Sequence, residues 1–200
     1  ITGSEATFRA IVPGLSVPIT AELGGVSPII IVPGEWSRAD LRYQAEHVVT
    51  MRLHNSGHNC IAGQVVILSR DWPQRAEFLD ELRAAYDRAP ARPVWYPNSA
   101  AKLDAARTAY PAADSCGDGT RLLIEASADG AGAESVETTE YFTPVLGVVS
   151  LPGSGQEFLD GAVAHANDRL TGTLGANVLI DPVTQSALGA GFERAIADLH

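Results

Sequence analysis

Short runs of β-branched and aliphatic residues, each followed by a longer amphipathic stretch, constrain the fold of this chain more than any other feature. Pro28-Ile29-Ile30-Ile31-Val32-Pro33 is the clearest run, and Gln64-Val65-Val66-Ile67-Leu68 is another. Both are strand-sized and apolar throughout, the pattern of strands buried on two faces. Residues 27–32, 64–69, 121–126, 144–151 and 175–180 read as strands of this kind, and residues 18–22 as a further short one. Residues 36–53 carry Leu41, Ala45, Val48, Val49 and Leu53 at helical spacing, with Ser37 placed as an N-cap and Asp40 three positions on. Residues 72–88 open on Trp72-Pro73 and align Phe78, Leu79, Leu82 and Tyr86 on one stripe. Residues 5–12, 99–110, 157–170 and 186–199 read as further helices. Residues 114–120 and 129–137, rich in Gly, Asp, Ala and Glu, read as loops. Strands alternating with helices predict an α/β fold with a largely parallel sheet flanked by helices. In such sheets reactive residues belong on loops beyond the strand carboxyl ends.

Charge narrows the set of partners. The net charge of −10 offers no positive field for nucleic acid or an anionic membrane. No apolar run approaches the roughly 20 residues that span a bilayer. Two cysteines, Cys60 and Cys116, suit free thiols in a cytoplasmic protein better than a disulfide framework. Cys116 lies in the turn-rich stretch Asp114-Ser115-Cys116-Gly117-Asp118-Gly119 and reads as incidental. His47 and His54 have no carboxylate or cysteine at ligand spacing, so no metal is expected. Gly153-Ser154-Gly155 is not followed by the lysine of a phosphate loop. His165 and His200 read as surface residues.

Chemistry concentrates in two places. Cys60 ends Asn55-Ser56-Gly57-His58-Asn59-Cys60, a bend just before the apolar run at 64–68. A thiol on a bend between two elements can be exposed while its backbone is held, which suits a nucleophile. Ala21-Glu22-Leu23-Gly24-Gly25 sets one carboxylate among apolar residues and glycines. A thiol and such a carboxylate together suggest acyl chemistry, with the carboxylate handling a proton or a water.

These stretches resemble the aldehyde dehydrogenase superfamily. Glu22-Leu23-Gly24-Gly25-Val26-Ser27-Pro28 matches the family's glutamate motif in full, and the cysteine stretch matches its Asn-x-Gly-Gln/Glu-x-Cys motif apart from His58. Glu140-Tyr141-Phe142-Thr143-Pro144-Val145 is similar to Glu-x-Phe-Gly-Pro-Val, with Thr143 in place of Gly. Thr2-Gly3-Ser4 is similar to the segment that ends the family's cofactor-domain sheet. All four occur in family order across residues 2–145, and residues 158–181 continue the likeness.

The resemblance implies a catalytic-domain-like fold, with residues 1–17 as the tail end of a dinucleotide-binding domain. Residues 18–200 would form a thiol-bearing catalytic domain, truncated at both ends. It implies oxidation of a small-molecule aldehyde to a carboxylic acid with NAD or NADP. Cys60 would form a thiohemiacetal and then a thioester, and Glu22 would activate the water that hydrolyses it. The backbone N–H of Cys60 would donate to the oxyanion. Gly3, Ser4, Leu23, Glu140 and Phe142 would contact the cofactor, with Glu140 on the nicotinamide ribose hydroxyls and Phe142 near the nicotinamide. The parent would be a cytoplasmic homo-oligomer, and the 200 residues alone would be inactive. His58, two residues from Cys60, either forms an ion pair that lowers the thiol pKa or packs and hydrogen-bonds locally. Two other readings stand beside this one: a cysteine hydrolase pairing Cys60 with a remote histidine, His165, and a non-catalytic interaction domain.

Overall fold

The computed structural model describes residues 1–127 and 134–200. Thr2–Gly3 (β1) and Glu22–Leu23 (β2) form a small parallel pair, with helix Glu5–Ile11 (α1) between them. The main sheet contains Ser27–Ile31 (β3), Gly63–Ser69 (β4), Asp114–Cys116 (β5), Arg121–Ser127 (β6), Val145–Leu151 (β7) and Asn177–Leu179 (β8). Its order is β5-β6-β7-β4-β3-β8, parallel throughout except for β5, which runs antiparallel to β6. Helices Arg38–Leu53 (α2) and Arg75–Arg88 (α3) cover one face. Ser99–Ala109 (α4), Glu134–Thr138 (α5), Gly155–Arg169 (α6) and Ala190–Asp198 (α8) supply buried residues to the other, and Pro182–Leu188 (α7) lies between α6 and α8 in sequence. The α/β architecture with a largely parallel, helix-flanked sheet is the one the sequence predicts.

Strand alternation builds the two cores. Ile30, Val65, Ile67, Val145 and Val149 face the α6 side, while Ile29, Ile31, Val66, Leu68, Leu146 and Val148 face α2 and α3. Burial of each such side chain contributes roughly 1.5–3 kcal/mol, so the centre of the sheet is a rigid platform for whatever its edges carry. Ser37 caps α2 as read, accepting from the Asp40 amide at 3.2 Å.

Several elements differ from expectation. Of residues 18–22 only Glu22 is in a strand, which runs on to Leu23, because β1 offers two residues to pair with. The helix at 72–88 starts three residues late: the Trp72 indole N–H donates to the Gly34 carbonyl and Gln74 brackets the Trp36 backbone, so 72–74 form a turn. Asp114–Cys116 is a strand rather than loop, paired with Arg121–Leu123 across a turn of left-handed residues and anchored by Asp114 on Arg83. Residues 175–180 contain a half-exposed edge strand instead of a buried one. The last helix is broken at Gly189, φ +51°, into α7 and α8. Of the loop read at 129–137, residues 129–133 lie outside the described residues, and Glu134–Thr138 is helical. Gly147 leaves room there for Val136: a Cβ on Gly147 would come within 2.7 Å of the Val136 side chain.

Candidate active site

Register decides which residues share an edge. Ser27 pairs with Gly63, and Val65 pairs with Gly147. The glutamate motif leads into β3, the cysteine loop into β4 and the Glu140–Phe142 segment into β7. Residues 171–174 likewise precede β8. All four approach neighbouring parallel strands from the same side, so they cluster at the amino ends of the sheet. This corrects the expectation of a site beyond the carboxyl ends. The connections that carry these motifs enter the strands rather than leave them.

The cysteine loop is held in a conformation that few sequences tolerate. Asn55, Ser56 and Gly57 are all left-handed, with φ of +52°, +57° and +79°. Such runs persist only where surroundings impose them. Here Arg52, fully buried at the end of α2, donates from Nη2 to the Gly57 carbonyl at 2.9 Å and from Nη1 to the carbonyls of Ala62 and Gly63 at 3.5 and 3.4 Å. A Cβ on Gly57 would come within 2.6 Å of that guanidinium and 3.0 Å of the Thr143 backbone, so glycine is required there for space as well as for φ. Burial lowers the Arg52 pKa to about 10. Cys60 follows on a turn and is exposed.

His58 turns inward, away from the role of an ion-pair partner. It is buried, its Nε2 lies 2.9 Å from the Ser99 hydroxyl, and its ring packs within 5.3–5.8 Å of Trp95, Tyr96 and Phe142. Burial first, then the charges of Arg52 and Lys102, holds its pKa below the usual imidazole value. Local packing is therefore the alternative realised. Cys116 is buried in the α3 side of the core, where burial raises its thiol pKa. His165 departs from its surface reading: its side chain is 10% exposed and its Nε2 lies 2.7 Å from the carboxylate of buried Glu137. Committed to Glu137 in this way, it is not paired with Cys60 as the hydrolase reading would need.

Glu140 and Phe142 are set by a buried side chain from the sheet. Gln64 on β4 donates to the carbonyls of Val136 and Thr139, at 2.9 and 2.8 Å, and accepts from the Tyr141 amide at 3.0 Å. Those three bonds place residues 139–141 over the amino end of β4. Phe142 has φ +51°, a strained value for an aromatic residue, and its ring meets Tyr96 at 4.9 Å. The Glu140 carboxylate reaches the glutamate motif, since a Cβ on Gly24 would lie 2.1 Å from its Oε1. Burial raises the Glu140 pKa, against the lowering pull of Lys102 and Arg52. Among the described residues its carboxylate accepts no hydrogen bond. Replacing Glu140 with Gln is therefore expected to stabilise the fold near pH 7, where the glutamate must be ionised in a half-buried place, and to leave it unchanged below the ordinary carboxylate range, where both side chains are neutral. Thermal unfolding at the two pH values reads the difference, and an equal effect at both would refute it.

Glu22 and Leu23 belong to a different wall of the same edge. Gly3 pairs with Leu23, Thr2 with Glu22, and the Gly24 amide donates to the Gly3 carbonyl at 3.3 Å. Ser4 caps α1, accepting from the Thr7 amide at 3.2 Å. A cleft of about 330 Å³ is lined by Glu5, Glu22, Leu23, Gly24 and residues 172–174. The structure thus joins Gly3, Ser4, Glu22 and Leu23, and brings Glu140 to Gly24. Cys60 does not line that cleft, and it approaches it only through its neighbour Ile61, which packs near Gly175.

Residues 1–97 match the family model described as the aldehyde dehydrogenase family. Over those residues, just under half of its length, the chain is similar to that family. Solved aldehyde dehydrogenases share the fold over the whole chain. Gamma-glutamyl-gamma-aminobutyraldehyde dehydrogenase from Burkholderia cenocepacia is 23% identical over 99% of this chain, with a TM-score of 0.71. The aldehyde dehydrogenase KauB from Pseudomonas aeruginosa is 20% identical over 99%, with a TM-score of 0.75. The NADP-dependent glyceraldehyde-3-phosphate dehydrogenase from Bacillus halodurans, complexed with NADP, is 18% identical over 100%, with a TM-score of 0.70. The chain spans 41%, 42% and 41% of those aldehyde dehydrogenase structures, respectively. No curated protein matches it.

Arg52 and Gln64 belong to no motif, although both leave a trace in the sequence. Arg52 falls on the apolar stripe of α2, four residues after Val48, where a charge has no place unless it is bonded. Gln64 opens an otherwise apolar strand and is 1% exposed.

Proposed function

We propose that this chain carries the thiol and carboxylate of an NAD(P)-dependent aldehyde dehydrogenase, with Cys60 as nucleophile and Glu22 as the base for thioester hydrolysis. The observation that supports this reading best is the register of Ser27 with Gly63, by which the glutamate and cysteine motifs lead into adjacent parallel strands at the same end of the sheet. On this reading residues 1–17 end a dinucleotide-binding domain and residues 18–200 form the catalytic domain. Aldehyde oxidation needs the remainder of a longer homo-oligomeric enzyme of the cytoplasm, so the 200 residues alone turn over little or no aldehyde.

The residues fit a nicotinamide cofactor. Glu140 presents an unbonded carboxylate able to accept two ribose hydroxyls, and glycine at position 24 lets that carboxylate sit against the glutamate motif. Phe142 offers a ring next to it, while Gly3, Ser4 and Leu23 line the approach with small or apolar groups. Bound NAD or NADP would supply the hydride acceptor. Cys60 Sγ, as thiolate, adds to the aldehyde carbonyl and forms a C–S bond, and the resulting oxyanion takes the Cys60 amide as a donor. With a nicotinamide bound as hydride acceptor, oxidation at that carbon would leave a thioester on Sγ. Glu22 removes a proton from water as the water oxygen attacks the thioester carbon; the C–S bond breaks, the carboxylic acid is released and Cys60 returns to the thiolate, with the proton passing from Glu22 to solvent.

The test is aldehyde turnover by a full-length enzyme carrying these residues, followed at 340 nm with NAD, with NADP and with neither. Hydrolysis of an ester with no nicotinamide present, together with no aldehyde oxidation under either nicotinamide, would favour the cysteine hydrolase. Glu22→Gln is expected to leave the first-turnover burst of NAD(P)H intact while slowing the steady state by about 10²-fold or more. Loss of the burst together with the steady state would assign Glu22 to an earlier step.

A further inference from the structure

Three fasteners on the strained cysteine loop come from one distant segment, residues 93–99, which has no regular structure before Ser99 begins α4. Ser56 Oγ donates to the Pro93 carbonyl at 3.1 Å. The Trp95 indole N–H donates to Asn55 Oδ1 at 3.1 Å. Ser99 Oγ lies 2.9 Å from His58 Nε2. The bond from Trp95 has a sequel. Asn55 uses its amide group on the far side, where Nδ2 donates to the His58 carbonyl and to Asn59 Oδ1, both at 3.3 Å. Held by the indole, Asn55 orients the two residues that immediately precede Cys60. Trp95 is 60% exposed, so apolar burial does not account for its position. Its edge-to-face contact with His58 at 5.3 Å and its N–H bond to Asn55 do.

We propose that Trp95 is a positioning residue for the Cys60 thiol, acting through Asn55; this rests on the reading of Cys60 as nucleophile. A left-handed Asn55-Ser56-Gly57 run relaxes when its fasteners are removed, because left-handed backbone strains every residue other than glycine. The thiol is already exposed, so release cannot gain it much access. It can only let the thiol leave the one presented orientation.

The measurement is the alkylation rate of Cys60 by iodoacetamide in the 200-residue chain, read by mass spectrometry of the two cysteine peptides. Buried Cys116 serves as the internal report of global opening. Trp95→Phe keeps a ring against His58 and removes the N–H. It is expected to slow Cys60 labelling about threefold or more at each pH while Cys116 labelling stays at the wild-type rate. Asn55→Ala is expected to slow Cys60 labelling similarly, and the double variant no further, since the two side chains act as one link. Wild-type or faster Cys60 labelling in Trp95→Phe overturns the proposal, and so does a multiplicative effect in the double variant. A rise in Cys116 labelling in either single variant also overturns it, by assigning the residue to global stability. These outcomes do not depend on turnover. An enzyme that stays active with alanine at position 60 would instead remove the nucleophile reading and leave the loop mechanics standing.

Discussion

Replacing Cys60 with alanine in a full-length enzyme is expected to abolish aldehyde oxidation, a fall of about 10⁴-fold or more in kcat. No other described thiol lies there: Cys116, the second one, is buried in the α3 side of the core. Because Cys60 is exposed, its truncation opens no cavity. Stability should stay within roughly 0.5 kcal/mol of wild type. Nicotinamide binding, followed by quenching of protein fluorescence, should also persist, since Glu140 and Phe142 are held by Gln64 rather than by Cys60. Activity lost together with folding would say nothing about chemistry, whereas activity lost with folding and cofactor binding intact would. Retained oxidation would end the assignment.

Replacing Arg52 with methionine is expected to have the largest effect on stability. Methionine keeps most of the aliphatic volume but leaves the carbonyls of Gly57, Ala62 and Gly63 without their buried donor. An unsatisfied buried acceptor costs about 1–3 kcal/mol. Opposing this, the substitution removes a fully buried charge, whose desolvation is visible in the lowered Arg52 pKa. The Gly57 bond, at 2.9 Å, is the strong one, and the other two are long. The balance comes to a loss of about 2–4 kcal/mol. It would be seen as a lower urea midpoint with an unchanged slope. A loss under about 1 kcal/mol would mean that the relieved charge offsets the lost bonds. Lysine should rescue little, since one ammonium cannot reach three carbonyls in the geometry of a planar fork.

The central strands and the capped α2 helix could be read from the chain because their signals are local: Pro28 to Pro33 encloses a run that suits only a buried strand, and Ser37 with Asp40 marks a helix start. Cys60 and Glu22 were recognisable because their neighbours form motifs. What escaped depends on contacts far apart in sequence. Asp114–Cys116 becomes a strand through Arg121–Leu123 and Arg83, and the Gly117-Asp118-Gly119 turn that follows gives a loop signal to any local reading. The break at Gly189 splits a helix whose apolar spacing continues across it. His165 reads as exposed because nothing near it in sequence shows that Glu137, 28 residues away, buries a carboxylate against it.

The order of residues by itself determined the alternation of strands and helices, the apolar faces of the sheet and the chemical types available for a site, since all of these follow from periodicity and from side-chain chemistry along short stretches. Only the tertiary structure decided which end of the sheet gathers the motifs, that His58 points into a nest of aromatic rings rather than toward Cys60, and that Arg52, Gln64 and Trp95 hold the loops in place. Those outcomes depend on strand register and on hydrogen bonds that close over tens of residues, and no window along the chain contains both partners.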